Sequence, residues 1–367
     1  MADESSSGSR IGSRGKRRKQ PSKGHRAMTV AAWSVAGLVL VGGSGLGYVY
    51  FKLNGNLQGV DINSALGTDR PENVDNGSMD ILVLGSDSRA GANAEYGADD
   101  GARSDTAMIV HVYEGHKKAS VVSVPRDTLI ERPACSDGNG RTVSGQKRAM
   151  FNTAYEVGGP ACAVKTVEKM SGIRMDHYIE VDFTGFKKLI DKLGGVQITT
   201  SKPINDSKSH LNLEPGTHKL NGEQSLGLVR TRKSIGDGSD LGRIQLQQAF
   251  MKAFITQVKS IGLFSNPKKL LDVADTATKA ITPDSELNSV TELMGFARGL
   301  GSLGAQDVHM ITLPVEYDPV DPNRVIPIKS ASQQVWTALK ADLPIPASAV
   351  KDSAGDKGDA GTVVAGQ

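Results

Sequence analysis

The sequence has 367 residues, 38% of them hydrophobic, and a formal net charge of +3, enough chain for one large domain or two. Residues 1–51 carry eight basic and two acidic residues, which leaves 35 basic and 38 acidic residues in the remainder. The basic excess is confined to the N-terminal arm, and the rest of the chain lacks the basic bias of a nucleic-acid-binding protein.

Residues 1–26 are rich in Ser, Gly, Arg and Lys and are expected to form a disordered arm. From Ala27 to Phe51 there are 25 residues without a charge, long enough to cross a bilayer core as a helix. Trp33, Tyr48, Tyr50 and Phe51 lie toward its ends, as an aromatic belt would. The basic arm precedes this run, so the positive-inside rule predicts a single-pass cell-membrane anchor with a cytoplasmic N-terminus and residues 52–367 outside the cytoplasm. The competing reading is a cleaved signal peptide, but the run is long for one and no A-x-A site follows. Residues 52–78 read as an extracytoplasmic tether.

A folded domain over 79–342 follows. Ile81–Leu84 is a continuous apolar run, hence a buried strand. Thr106–Tyr113 and Ala119–Val124 flank a turn sequence, Glu114-Gly115-His116-Lys117-Lys118, and predict a hairpin. Residues 128–148 are polar and read as an exposed loop. Cys135 and Cys162 in an exported domain read as a disulfide, closing a loop of 26 residues for about 3 kcal/mol in the chain-entropy model.

The chain continues through Gly158-Gly159-Pro160 into a helix ending at Gly172, a strand over His177–Phe183, and an amphipathic helix over Gly185–Leu193 stopped by Gly194-Gly195. Asn221 and Gln224 predict a capping box for a helix running toward Val229-Arg230-Thr231-Arg232. A long helix is expected from Asp240, others over 267–280, 284–299 and 330–341, and a strand over Val308–Pro314. Residues 343–367 read as a disordered tail. Strands alternating with helices predict an α/β fold, a three-layer α-β-α sandwich with a central mixed β-sheet, preceded by one transmembrane helix.

The chemistry concentrates in short charged segments at strand ends. Arg103, Arg126, Arg230, Arg232 and Arg243 recur there, with Asp87, Asp105, Asp127 and Asp240 in the same segments. Arg230 and Arg232 are two residues apart and in extended backbone would project to one side. Guanidinium forks match phosphate oxygens bidentately, which predicts a pyrophosphate site. Carboxylates beside that anion require a divalent cation between them. Asp87 and Asp105 suit Mg²⁺ or Mn²⁺, since Mg²⁺ uses one or two carboxylates with phosphate oxygens and waters. No Walker loop is present, which argues against a nucleoside triphosphate. The alternative is an ion-pair lattice without function.

Nine short signatures occur in order: Leu84-Gly-Ser-Asp87-Ser-Arg89, Arg103-Ser-Asp105-Thr106, Ser123-Val-Pro-Arg126-Asp127-Thr128, Asn152-Thr-Ala-Tyr155 with Gly158-Gly159, Asp182-Phe-Thr-Gly-Phe186, Leu193-Gly-Gly-Val196, Leu220-Asn-Gly-Glu-Gln224, Val229-Arg-Thr-Arg-Lys233 and Asp240-Leu-Gly-Arg243. Each is weak alone, but together they make the chain resemble the LytR-CpsA-Psr family of bacterial cell-wall ligases over residues 79–260, and more weakly to about 340.

The resemblance implies a phosphotransferase that moves a glycopolymer from a polyprenyl-pyrophosphate carrier to a peptidoglycan sugar hydroxyl. It implies that Asp87 and Asp105 hold the metal and that Arg103, Arg126, Arg230, Arg232 and Arg243 clamp the pyrophosphate. Asp105 or Asp127 would accept the sugar's proton. Phe183, Phe186, Ile190 and Leu193 are candidates for an apolar groove for the polyprenyl tail, and equally for ordinary core. Where the family often has basic residues after the Asp-x-Gly-Arg segment, this chain has Gln245 and Leu246. A polyprenyl-pyrophosphate hydrolase and a membrane-tethered, non-enzymatic regulator are the alternatives.

Overall fold

The computed structural model describes residues 47–87, 103–137, 140–232, 240–262, 266–351, 353–356 and 364–365. The arm over 1–26 and residues 27–46 of the expected span lie outside these. Residues 47–51 are helical, and among the described residues no helix is long and apolar enough to cross a membrane.

From Lys52 onward the chain forms one compact unit. Its centre is a six-stranded mixed sheet. The strands are β1 (Met79–Asp87), β2 (Arg103–Val112), β3 (Ala119–Val124), β4 (His177–Asp182), β5 (Ile281–Pro283) and β6 (Val308–Thr312), in the spatial order β5-β4-β1-β2-β3-β6. β1, β2 and β3 are antiparallel neighbours, whereas β4 runs parallel to β1 and β6 parallel to β3. The hairpin predicted around Glu114 is therefore the β2–β3 connection. β5 has three residues including Pro283, and a proline is tolerated there because it occupies the sheet edge.

Successive strand residues face opposite sides, and both sides are covered. Leu82, Leu84, Ile109, Val122 and Val124 pack with Ala163, Val164 and Val167 of helix α1 (Asn152–Ser171), and with Val335, Trp336 and Leu339 of a C-terminal helix over Lys329–Lys340. Ile81, Met108 and Val121 pack on the other side with Met251, Ile255, Phe296 and Leu300. A third apolar cluster joins helix α2 (Phe183–Leu193), helix α3 (Gly222–Arg230) and helix α4 (Asp240–Ser260) through Ile190, Leu228, Leu246 and Phe250. Phe186 tilts against Phe250, and Leu193 is buried. Ile190 and Leu193 are thus ordinary core. The C-terminal helix is α5 (Lys329–Lys340).

Local signals place the element ends. Asn221 accepts from the Gln224 backbone N–H at 2.9 Å, and the Gln224 side chain accepts from the Asn221 N–H at 3.1 Å, the reciprocal box that starts α3. Gly172 is left-handed (φ 61°) and ends α1, a conformation that suits a residue without Cβ. Within α1 the backbone leaves helical geometry at Gly158 and Gly159. A Cβ on Gly158 would stand 2.6 Å from the Ser136 carbonyl oxygen, so glycine lets the Cys135–Ser136 strand approach, and Cys135 and Cys162 form a disulfide.

Three expectations need revision. Residues 52–78 are packed against the domain rather than forming a tether. Leu53, Leu57, Ile62 and Leu66 are buried, and Arg70 makes a bidentate buried ion pair with Glu168 while donating to the Met175 carbonyl at 2.8 Å. The 128–148 loop contains a strand, Leu129–Arg132, paired with Gln146–Met150; its polar composition hid it because only one face is covered. The domain also continues past residue 342. Ile345 and Ala349 join the core, and Val364 and Ala365 pair with Thr200 and Thr199.

Candidate active site

Two segments more than 100 residues apart in sequence meet at the ends of β2 and β3. Pro125 ends β3, and a turn follows in which Thr128 donates from its backbone N–H (3.0 Å) and its hydroxyl (2.6 Å) to the Pro125 carbonyl. That turn presents Arg126 and Asp127. Asp240 begins α4, where the helix dipole favours a carboxylate, and Arg243 lies one turn later on the same face.

Asp240 is the hub. Its Oδ1 is 2.5 Å from an Arg243 guanidinium nitrogen, 3.4 Å from one of Arg232 and 3.7 Å from Arg126 Nε. Its Oδ2 accepts from the Arg126 backbone N–H at 3.3 Å. Arg243 is buried and the Asp240 side chain keeps 9% of its surface, whereas Arg126 and Arg232 keep about a quarter to a third of theirs. Asp127 lies 3.7 Å from Arg126 Nε and 3.5 Å from Arg324. Arg324 had no recognisable signal. It follows Asp321, which accepts its backbone N–H at 2.9 Å, in a Pro/Asn/Asp turn whose proximity to Asp127 is purely tertiary.

Arg230 differs from its expected place. α3 extends through Arg230 and the chain becomes extended only at Thr231, so Arg230 and Arg232 do not share a strand face. Arg230 instead stacks over the Phe183 ring, 5.6 Å from its centroid, a cation–π arrangement. Phe183 also approaches β1: a Cβ on Gly85 would be 3.3 Å from its ring and from Thr106. Of the four apolar candidates, Phe183 is therefore the one beside the charged groups.

Gln247 ties the halves together. Its Nε2 donates to Thr106 Oγ1 and to the Val229 carbonyl, both at 3.0 Å, so one buried amide holds the neighbours of Asp105 and Arg230. Gln248 donates to Ser123 Oγ at 3.3 Å. Behind β1, Glu180 accepts from Tyr155 at 2.9 Å and Tyr178 at 2.8 Å. Burial, then the Glu180 charge, pushes the Tyr155 phenol well above its usual range, although a Ser86 hydrogen bond opposes this. Both tyrosines therefore stay protonated and act as donors. A glutamate between Ile179 and Val181 in the middle of the strand was the available signal for this network.

Asp87, Arg103 and Asp105 are described by backbone only; their side chains lie outside the described residues, as does Arg89. Asp87 pairs with Arg103 across β1 and β2, and the register shifts between Gly85 and Ser86, so that Ser86 meets Ser104 and Gly85 meets Thr106. Asp105 is the extra residue of that bulge, a device that re-aims side chains at sites. The two carboxylate-bearing residues thus stand on adjacent strands, about 5 Å apart in the pairing direction. Among the described residues no group of three His, Cys, Asp or Glu is placed to hold a metal.

Comparison with known proteins agrees with these motifs. Residues 49–341 match the LytR_cpsA_psr family. The cell wall biosynthesis protein LcpA of Corynebacterium glutamicum is 31% identical over 322 residues, 80% of this chain but 60% of that protein. The polyisoprenyl-teichoic acid–peptidoglycan teichoic acid transferase TagT of Bacillus subtilis is 33% identical over 301 residues, covering 79% of this chain and 87% of TagT. The solved structure of TagT bound to LI-WTA superimposes with a TM-score of 0.55 at 27% identity, over 75% of this chain and 97% of that one. The charged motifs, the mixed sheet that brings them together and these matches place the chain in the LytR_cpsA_psr family.

Proposed function

We propose that the protein transfers a glycopolymer from a polyprenyl-pyrophosphate carrier to a peptidoglycan sugar hydroxyl during cell-wall assembly. The observation that carries the reading is the meeting of Arg126, Arg232 and Arg243 at one carboxylate, Asp240. Guanidinium groups from three separate segments, held at one place by Asp240, form a preorganised anion site. The similarity to TagT, named for teichoic acid transfer, supports the same polymer class.

In this reading Arg126, Arg232 and Arg243 exchange the Asp240 carboxylate for phosphate oxygens when substrate enters. Arg230, held on Phe183, completes the clamp with Arg103. The acceptor oxygen attacks the glycan-bearing phosphorus, its proton passes to a carboxylate, Asp105 or Asp127, and the bond to polyprenyl phosphate breaks. The arginines stabilise charge growing on the leaving phosphate. Asp87 and Asp105, on adjacent strands at a bulge, fit a shared Mg²⁺ or Mn²⁺, which would supply further neutralisation of the pyrophosphate. The uncharged run over 27–51 would tether the domain to the outer membrane face, where carrier and acceptor meet.

The test is release of polyprenyl phosphate from a lipid-pyrophosphate glycan by the full-length protein, with and without peptidoglycan fragments and with a chelator. Acceptor- and metal-dependent release is expected, lost in Arg126→Ala and Arg230→Ala proteins that remain folded. Full activity in both variants sinks the proposal; release that ignores the acceptor identifies a hydrolase instead.

A further inference from the structure

The helix Val290–Leu300 has 11 residues, and none of them is fully buried. Helices of this length are marginal in water and depend on packing an amphipathic face, and Gly295 and Gly299 weaken this one further. At about 100° per residue, Val290, Leu293, Met294, Phe296, Ala297 and Leu300 share one side. Phe296 and Leu300 turn inward and pack with Ile81, Met108 and Val121 of the sheet. Gly299 faces the β2–β3 connection, where a Cβ would stand 3.3 Å from His116 Nδ1. Val290, Leu293, Met294 and Ala297 are left along the outer edge of the apolar side, with Met294 47% exposed. The helix's one acid, Glu292, turns back to accept from the Ser289 hydroxyl at 2.8 Å.

The start of this helix is tied to the chain just where the uncharged run ends. Asn54 accepts from the Val290 backbone N–H at 2.9 Å, and the Gly59 N–H donates to Asn288 at 2.8 Å. Lys52 pairs with Asp275 at 3.3 Å, and Asn56 donates to Asp275 at 3.1 Å and to Thr278 at 3.0 Å. The same few residues therefore also hold the helix Pro267–Ala280, whose Leu271 is 42% exposed. Only Lys52 and Leu53 separate Asn54 from Phe51, and that piece of chain spans at most about 11 Å. If the run over 27–51 crosses a bilayer, the outer edge of Val290–Leu300 begins within reach of the lipid headgroups. Interfacial helices sink an apolar face about 5–10 Å into that zone, with cations beside it. Lys52, Lys279 and Arg298 are exposed on these elements.

We propose that the outer edge of Val290–Leu300 docks on the lipid surface of the membrane, so that the domain lies against the bilayer through this helix rather than hanging from its anchor. The inference rests on the membrane-anchor reading and adds a second, non-covalent contact to it. Val290, Leu293, Met294 and Ala297 enter the acyl boundary, while Arg298 and Lys52 reach the lipid phosphates. Phe296 and Leu300 couple the docked helix to the cluster that contains Met251 and Ile255 of α4. Asp240 and Arg243 begin α4, so docking would fix the orientation of that helix and its charged first turn to the membrane plane.

The test reads depth in the membrane without turnover, so docking can fail while the anchor and the transfer reading stand. Cys135 and Cys162 are joined to each other, so a fluorophore can be attached to full-length protein at Met294→Cys or, as a control, at Gln334→Cys. Gln334 is exposed on α5, which covers the other face of the sheet. The proteins are reconstituted into vesicles of phosphatidylglycerol and phosphatidylethanolamine that carry nitroxides on the acyl chains. Quenching should place the 294 probe about 5–10 Å below the lipid phosphates and leave the 334 probe unquenched. Adding Ala297→Glu should lift the 294 probe out and bring its quenching down to the level at 334, whereas Ala297→Leu should keep it docked. A 294 probe as unquenched as the 334 probe, in protein that floats with the vesicles, overturns the proposal and spares the anchor. Protein that does not float with the vesicles overturns both. Shielding of the 294 probe from aqueous iodide without lipid quenching assigns the edge to a second copy of the chain. Quenching that appears only when polyprenyl phosphate is added assigns it to the carrier tail. Either result also overturns the proposal.

Discussion

Replacing Asp240 with Asn tests the hub directly. The change keeps shape and removes the charge on which Arg126, Arg232 and Arg243 converge. Removing one partner of a buried pair costs about 3–5 kcal/mol, and the Arg243 and Asp240 side chains keep only 5% and 9% of their surface. Arg126 and Arg232 are partly solvated, so their share is at most about 1 kcal/mol. The Asn side-chain oxygen retains one acceptor, worth about 1 kcal/mol. The net loss is about 2–5 kcal/mol, and at about 2 °C per kcal/mol for a domain of this size Tm should fall by about 4–10 °C.

Inorganic pyrophosphate provides the second arm. It brings back the negative charge, and the variant no longer holds a competing carboxylate. A ligand at a hundredfold excess over its Kd stabilises by about 2.7 kcal/mol, so saturating pyrophosphate should restore about 5 °C, more than it adds to the parent protein. Thermal unfolding of the full-length protein with and without pyrophosphate reads both effects. A fall below about 2 °C, together with equal pyrophosphate stabilisation of both proteins, would refute the hub and the anion site built around it.

Other outcomes follow from neighbouring groups. Gln247→Leu removes two donors of a buried amide and should cost about 1–3 kcal/mol, while phosphate release falls further than stability because Thr106 and Val229 lose their common strap; activity unchanged at a lowered Tm would make Gln247 merely structural. His111 is buried between Asp80 (2.9 Å) and Asp342 (3.0 Å). Burial alone would lower its pKa, but those two acids outweigh burial and raise it above 6.5. Its stabilisation is therefore fully present below about pH 6.5 and is lost as pH rises through the raised folded value. The stability gap between parent and His111→Asn should narrow from pH 6 toward alkaline pH in denaturant titrations. Burial raises the Asp80 pKa from 3.8, although its bond to His111 opposes this. Replacing both Cys135 and Cys162 by Ala should cost about 2–5 kcal/mol, read as a lower urea midpoint.

Much of the fold was legible because it is encoded locally. Ile81–Leu84 and Ala119–Val124 are apolar runs of strand length, Asn221 and Gln224 cap a helix, and Gly172 and Gly194 end two more. Such signals act over one turn of chain, so a reader of the sequence sees them whole. The short edge strand Ile281–Pro283 and the packing of residues 52–78 were not legible, because each depends on a partner far along the chain.

The site divides along the same line. Which charged residues gather at the candidate site was largely readable: Arg126, Asp127, Arg230, Arg232, Asp240 and Arg243 stand in short charged motifs beside apolar strands and helices. Their roles were not readable. Asp240 became the meeting point, Arg230 turned onto Phe183, Gln247 became the strap between Thr106 and Val229, and Arg324 entered without any motif. Composition and periodicity report what each residue prefers beside its immediate neighbours. A carboxylate shared among guanidinium groups from three segments is set by the register of the sheet and the docking of α4 against it, and those distances exist only once the hydrophobic core has closed.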